Sequence, residues 1–376
     1  MPKFNLFTKI ALRPLLILLC LAASGIVRAA DSGSDITKAA LQAELLRFIA
    51  LSQPNRSVGM SGHEKAYDYL KKEFQKIAEA HSGKVLEHSF RPDVDFAIRS
   101  YQNDFDTKVE GKIAPEDPEY RKWKVFTNDA VSFVKKYQGN TGRNLILELK
   151  GTQKPAEVIY VGAHYDTITH DHVTMKFTPA ESTEGADDNA SSLIGLLAAA
   201  REIAATPHDR TVRFVAFDFE EIFFLGSYAL AKDIKGKKLS WAPATESFMG
   251  LFNLEMIGWS KAPLSKKSVM KLYIRSPKEP GASSDLALAK MYQDAVRQAG
   301  LKLKPEILEN GFDRSDQWAF WQLGFPGVCI SQDWEGDFDE KNYHTSHDSP
   351  KNLNMDYLTE IVRGIDQALK IALTSR

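Results

Sequence analysis

Imidazoles and carboxylates recur together in five short islands of this chain: Gly162-Ala163-His164-Tyr165-Asp166, Gly185-Ala186-Asp187-Asp188-Asn189, Glu220-Glu221, Asn253-Leu254-Glu255-Met256 and Tyr343-His344-Thr345. Four of them follow, interrupt or end an apolar run with the character of a buried strand. Loops at strand ends are where α/β proteins build their sites. Two imidazoles and several carboxylates gathered there would suit a pair of divalent cations, zinc above all. Two such ions beside a free carboxylate would make a hydrolase.

Each island also has a plain structural explanation. His164 follows the strand-like Val158-Ile159-Tyr160-Val161, and a lone histidine at a strand end is more often structural. Asp166, two residues on, could accept a hydrogen bond from its other ring nitrogen, which fixes the tautomer of a metal-binding imidazole. Asp187-Asp188-Asn189 could cap the following helix. Two adjacent carboxylates exceed what a cap needs, and one of them could bridge two cations. Val212 to Phe217 runs into Glu220-Glu221, either a solvated charge pair or two carboxylates with separate jobs. Adjacent side chains point in different directions, so one can hold metal while the other takes a proton from water. Glu255 breaks an apolar run and would be costly to bury unpaired. The stretch Tyr343 to Asp348 offers a second imidazole, an orienting Asp348 and a phenol able to polarise a carbonyl.

The elements that must position these groups follow from periodicity. Residues 36–51 and 61–81 carry apolar residues at helical spacing, and Gly59-Met60-Ser61-Gly62 between them could supply an N-cap. Strands are expected at 85–90, 144–149, 158–163, 211–217, 248–256, 269–274, 303–308 and 327–331. Helices are expected at 191–205, 225–235, 284–299, 315–323 and 355–373. Such alternation predicts an α/β fold, a three-layer αβα sandwich with a mixed, mostly parallel central sheet. Residues 91–140 show weak periodicity and are expected to be an insertion with a helix near 128–137. Residues 30–376 are expected to form a single catalytic domain.

Lys3, Lys9 and Arg13, the apolar stretch from Leu15 to Ile26, and Val27-Arg28-Ala29 have the form of a secretory signal peptide over residues 1–29. Export to the periplasm or the medium is the expectation, with an uncleaved N-terminal anchor as the alternative. Cys20 follows Leu19, which argues against a lipoprotein anchor. Cleavage would remove four basic residues and no acidic one, taking the net charge from −1 to −5. No polybasic face remains for nucleic acid or an anionic membrane. Cys329 would be the one cysteine left, so no intrachain disulfide could form.

The motifs GAHYDT, GADDNAS, FEE followed by LGS, NLEMIG, SDQWAFWQLGFPGV and YHTSHDS stand in that order over about residues 144–350. Together they resemble the co-catalytic zinc aminopeptidases of the bacterial leucyl aminopeptidase type, relatives of glutamate carboxypeptidase-like enzymes and glutaminyl cyclases. The resemblance implies two zinc ions per chain and a peptide substrate with a free N-terminus. His164 and Glu255 would hold one ion, Glu221 and His344 the other, and Asp188 would bridge them. Glu220 would be the general base, Asp166 the orienter of His164, and Tyr343 the stabiliser of an oxyanion. Glu255 stands where the family more often has Asp, Phe223 where it has Gly, and Gln317 where His is frequent. The last two are expected to reshape the pocket. His170, Asp171 and His172, in the loop 168–184, are expected near its entrance and are not assigned to metal. A glutaminyl cyclase and a non-catalytic receptor-like protein are the alternatives on the same fold.

Overall fold

The computed structural model describes residues 36–374; the expected signal peptide and Cys20 lie outside the described residues. The chain opens with α1 (Lys38–Leu51), α2 (Ser61–His81), β1 (Lys84–Phe90), α3 (Val94–Lys108) and α4 (Pro118–Lys135). Next come β2 (Gly142–Leu149), β3 (Lys154–His164), the short β4 (His170–Asp171) and β5 (Lys176–Phe177), α5 (Ser192–Ala204) and β6 (Arg210–Phe217). Then follow α6 (Leu225–Lys235), β7 (Ser247–Glu255), β8 (Val269–Tyr273), α7 (Ala282–Gln298) and β9 (Lys304–Leu308). The last elements are α8 (Gln317–Gln322), β10 (Gly327–Ser331) and α9 (Met355–Leu373).

Eight strands form one sheet in the order β1-β2-β6-β3-β7-β10-β8-β9, and β4 pairs with β5 apart from it. β3 runs parallel to β6 and β7, β7 to β10 and β8 to β9, while β1–β2, β2–β6 and β8–β10 are antiparallel. The sheet is therefore mixed and mostly parallel, as the alternating sequence pattern predicts. Along β6, Val212, Phe214 and Ala216 join the core formed with α1, α2, α5, α7 and α9. Val215 and Phe217 pack on the opposite face with Leu230 and Ala231 of α6 and Phe320 of α8. Covering both faces is why the central strands read as continuous apolar runs. α5 is buried nearly all round, which explains its unbroken Leu/Ala sequence.

Parallel register brings the chemistry to one edge. His164 is level with Phe217 of β6, and Gly162 is level with Asn253 of β7. Two residues further along each strand, His164 and Glu255 emerge side by side.

Residues 91–140 differ from expectation. They form two helices, α3 and α4, where one near 128–137 was predicted. Asp93 caps α3 by accepting from the Phe96 amide (3.0 Å), and Asp117 caps α4 by accepting from Glu119 (2.8 Å). Pro118 at the first helical position needs no hydrogen-bond partner for its nitrogen. Asp117-Pro118 is thus a helix start. These helices share a core with the turn after β6: Val94, Ala97, Phe133 and Val134 pack with Phe219 and Ile222.

Candidate metal centre

The five islands converge at the ends of β3, β6 and β7. His164 Nε2 lies 3.2 Å from Asp188 Oδ1, 3.6 Å from Glu255 Oε2 and 3.8 Å from Glu220 Oε2. His344 Nε2 lies 3.1 Å from Asp188 Oδ2 and 3.0 Å from Glu221 Oε2. Asp188 therefore turns one carboxylate oxygen to each imidazole. Three candidate ligand groups result, His164/Asp188/Glu255, His344/Asp188/Glu221 and His164/Glu220/Glu221, with Asp188 common to the first two.

Asp187-Asp188-Asn189 does not cap α5, whose first turn has no side-chain cap. Instead Asn189 binds the end of β7, donating to the Leu254 carbonyl (3.0 Å) and accepting from the Met256 amide (3.1 Å). Asp187 accepts from the Gly258 amide at 2.7 Å. Gly185 opens this loop at φ 51°, where a Cβ would lie 2.6 Å from the Asp188 carbonyl and 2.7 Å from the Arg56 guanidinium. Only glycine fits there.

Asp166 acts on two neighbours at once. Its main-chain carbonyl lies 3.2 Å from His164 Nδ1, and its carboxylate is 3.6 Å from the same nitrogen. The carboxylate also accepts from the Glu220 amide (3.1 Å) and the Glu221 amide (3.2 Å), fixing the turn that carries both glutamates. Glu221 is held in addition by the Ile168 amide at 3.0 Å. Asp348 does not orient an imidazole. It accepts from the amides of Asp187 (2.9 Å) and Asp188 (3.0 Å) and so secures the loop of the shared carboxylate. Tyr343 stacks on His344 with ring centroids 3.7 Å apart. Burial and the charge of Asp188 keep its phenol protonated, available as a donor.

Two supporting residues, Ser315 and Arg56, were given no role by the sequence. Ser315 donates to Glu255 Oε2 at 2.6 Å and accepts from Asn253 at 2.7 Å, which braces the longer glutamate arm. Gln317 is fully buried and accepts from the same Asn253 amide at 3.2 Å, so of the two pocket departures only Phe223 reaches the cavity. Arg56, 1% exposed, donates to the carbonyls of Tyr165 (2.9 Å), Glu184 (2.7 Å) and Gly185 (2.9 Å). It ties the α1–α2 linker to two of the islands. The turn after β6 is tightly wound: Phe219, Phe223 and Phe224 have φ of 56°, 58° and 58°. Each such left-handed, non-glycine residue costs about 1–2 kcal/mol.

The donor set fits a pair of cations. His164 Nε2 is buried without a hydrogen-bond partner and faces three carboxylates. Burial, then the charge of Asp188, pushes Glu221 up to about 7. Burial opposes charge on His344, but Glu221 and Asp188 outweigh it and raise the ring to about 10. Without metal, protons supply the positive charge this cluster requires. Each raised group stabilises the metal-free fold at low pH, and that stability is lost as pH rises through about 7 for Glu221 and about 10 for His344. Metal needs the imidazole neutral and the carboxylate ionised, so uptake at pH 7 must release protons. Affinity should rise roughly tenfold per pH unit for each proton released. Calorimetric titration of zinc into metal-free protein, in buffers of different ionisation enthalpy, measures this. Equal heats in all buffers would refute proton release.

A carboxylate shared between two imidazoles, at the strand ends of a mixed αβα sheet, places this chain among the metallopeptidases. It belongs to peptidase family M28, whose family model matches residues 144–369. Aminopeptidase YwaD of Bacillus subtilis is 32% identical over 141 residues, which cover 36% of this chain and 26% of that protein. The chain thus matches about a quarter of that curated relative's length. In fold it is similar to a zinc aminopeptidase from Bacillus subtilis (TM-score 0.63, 19% identity, 91% of this chain and 97% of that one). It is similar also to a glutaminyl cyclase from Bacteroides thetaiotaomicron (TM-score 0.60, 17% identity, 89% and 98%). A probable zinc metalloprotease of Pyrenophora tritici-repentis is 31% identical over 144 residues, which cover 36% of this chain and 30% of that protein.

Proposed function

We propose that this protein is an exported aminopeptidase that uses two zinc ions to remove N-terminal residues from peptides. The observation that carries the proposal is Asp188, whose two oxygens lie 3.2 Å from His164 and 3.1 Å from His344. His164, Glu255, Glu221 and His344 would hold the ions, with Asp188 between them. When bound, the pair would supply Lewis-acid polarisation of the scissile carbonyl and lower the pKa of an attacking water. Glu220 accepts the proton of that water and passes it to the leaving amine. Tyr343 donates a hydrogen bond to the developing oxyanion. The relative named an aminopeptidase supports the same reaction, and the composition of residues 1–29 supports export.

The test is a screen of zinc-loaded protein against aminoacyl anilides, their N-acetylated forms and peptides with N-terminal Gln. Hydrolysis of the free amines with loss on acetylation is expected, and protein recovered outside the cytoplasm should have the mass of residues 30–376. Release of pyroglutamyl product without loss of the first residue would instead establish the cyclase. Inertness towards every substrate with both metals bound would favour the receptor-like alternative.

A further inference from the structure

Tyr343, His344 and Thr345 follow one another on the polar loop before α9, and their three main-chain carbonyls all accept from the loop 168–184. His172 Nε2 donates to the Tyr343 carbonyl (3.0 Å), the His170 amide to His344 (3.0 Å) and the Thr183 hydroxyl to Thr345 (2.9 Å). The same loop holds Glu221, through the Ile168 amide at 3.0 Å. Both ligands proposed for the second ion alone are therefore braced by one segment. Those of the first ion alone are braced elsewhere, Glu255 by Ser315 (2.6 Å) and His164 by the Asp166 carbonyl (3.2 Å).

His344 needs that support. Its backbone stands at φ 56°, left-handed for a residue with a Cβ, and 15% of its side chain is exposed against 1% for His164. Bonds within its own loop use the Tyr343 amide, which donates to Asp339 (3.1 Å), and leave the Tyr343 and His344 carbonyls to outside donors. The brace is itself anchored. β4 pairs antiparallel with β5, and Asp171 secures the turn between them by accepting from the Val173 amide (2.7 Å). The Phe177 amide donates to Asp129 of α4 (2.8 Å), and the Phe177 ring stacks on Phe133 with centroids 4.9 Å apart. His170 lies on the wall of the cavity of about 410 Å³ onto which the glutamates and His344 open, and His172 is not on that lining. The His172 ring packs against His170 with centroids 4.5 Å apart. A carbonyl oxygen only accepts, so His172 Nε2 carries the hydrogen.

We infer that His172 is a positioning residue for the second metal site: its bond to the Tyr343 carbonyl sets the backbone that presents His344, and so raises the affinity of that site for a divalent cation. The inference rests on the two-zinc reading above. Zinc is titrated into metal-free wild type and variants against a chromophoric chelator, and bound metal is counted. His172→Phe keeps a ring against His170 and deletes the donor. It should weaken one of the two zinc sites by about 10–100-fold and leave the other unchanged. His172→Gln, whose amide can donate to the same carbonyl, should restore most of that loss. In Glu221→Ala protein, where the first site alone remains, adding His172→Phe should change nothing. His172→Leu provides a second variant without the donor should His172→Phe misfold, and circular dichroism identifies the folded ones. Wild-type affinity at both sites in a folded donorless variant, equal weakening of the two sites, or a loss that Gln does not restore overturns the inference. A wild type that binds one ion at most overturns the two-zinc reading and this inference with it.

Discussion

Replacing Glu220 by Gln should lower kcat by about 10²–10⁴-fold while both zinc ions stay bound. The substitution preserves volume and removes the ability to take a proton. The structure separates this residue from its neighbour. Glu221 spends one oxygen on the Ile168 amide (3.0 Å) and turns the other to His344 (3.0 Å). The Glu220 carboxylate lines the cavity, and among the described residues it accepts from no backbone amide. Its nearest charged partner is His164 Nε2 at 3.8 Å, a looser contact than either oxygen of Asp188 makes. Burial, together with the charges of Glu255 and Asp316, lifts its pKa well above the usual carboxylate range, which suits a group that must receive a proton and return it. The companion variant Glu221→Ala should lose one zinc equivalent, because it deletes a ligand. Activity and metal content measured on the same samples separate the two roles. Near-normal turnover in Glu220→Gln would remove Glu220 from the mechanism.

The second large effect is expected far from any motif. Arg56→Met should destabilise the protein by on the order of 3–5 kcal/mol and weaken zinc binding at the shared carboxylate. Methionine is close in length and apolar, so packing against Phe48 is largely kept, whereas the guanidinium now lies over that ring at 5.2 Å. The loss is of donors. The carbonyls of Tyr165, Glu184 and Gly185 would be left buried without their partner, at about 1–3 kcal/mol each before relaxation. The charge itself also matters. Burial lowers Arg56 to about 10, so it remains cationic at neutral pH, and Asp348, Asp188, Asp166 and Glu221 lie within its field. Removing it leaves the acidic cluster with less compensation, most acutely in metal-free protein. Urea unfolding with and without zinc, beside zinc titration, reads both effects. A variant within about 1 kcal/mol of wild type that still binds zinc normally would show that Arg56 neither supports the loop nor balances its charge.

The strand pattern was legible because β3 and β6 are buried on both faces, and a two-sided apolar run leaves little choice of conformation. The islands were legible because each places ionisable side chains beside such a run. The helices α3 and α4 were harder. They are as amphipathic as the helices that were expected, but they are polar overall and bury few residues, on α3 only Val94 and Ala97, and their starts are marked by Asp93 and by Asp117-Pro118. An acidic residue before proline is equally common in a turn, so composition alone does not separate a cap from a loop.

By itself the sequence determined the layered α/β architecture and which residue types could meet metal, since both depend on local pattern and on the chemistry of single side chains. Only the tertiary structure decided how the supporting groups divide the work. Asp348 holds amides instead of an imidazole, Asp166 serves His164 and the glutamate turn together, and Arg56 reaches carbonyls 109 to 129 residues away. Those choices depend on which donors and acceptors the fold leaves buried and unpaired at one place. Hydrogen bonding to distant backbone follows from packing, and no spacing along the chain encodes it.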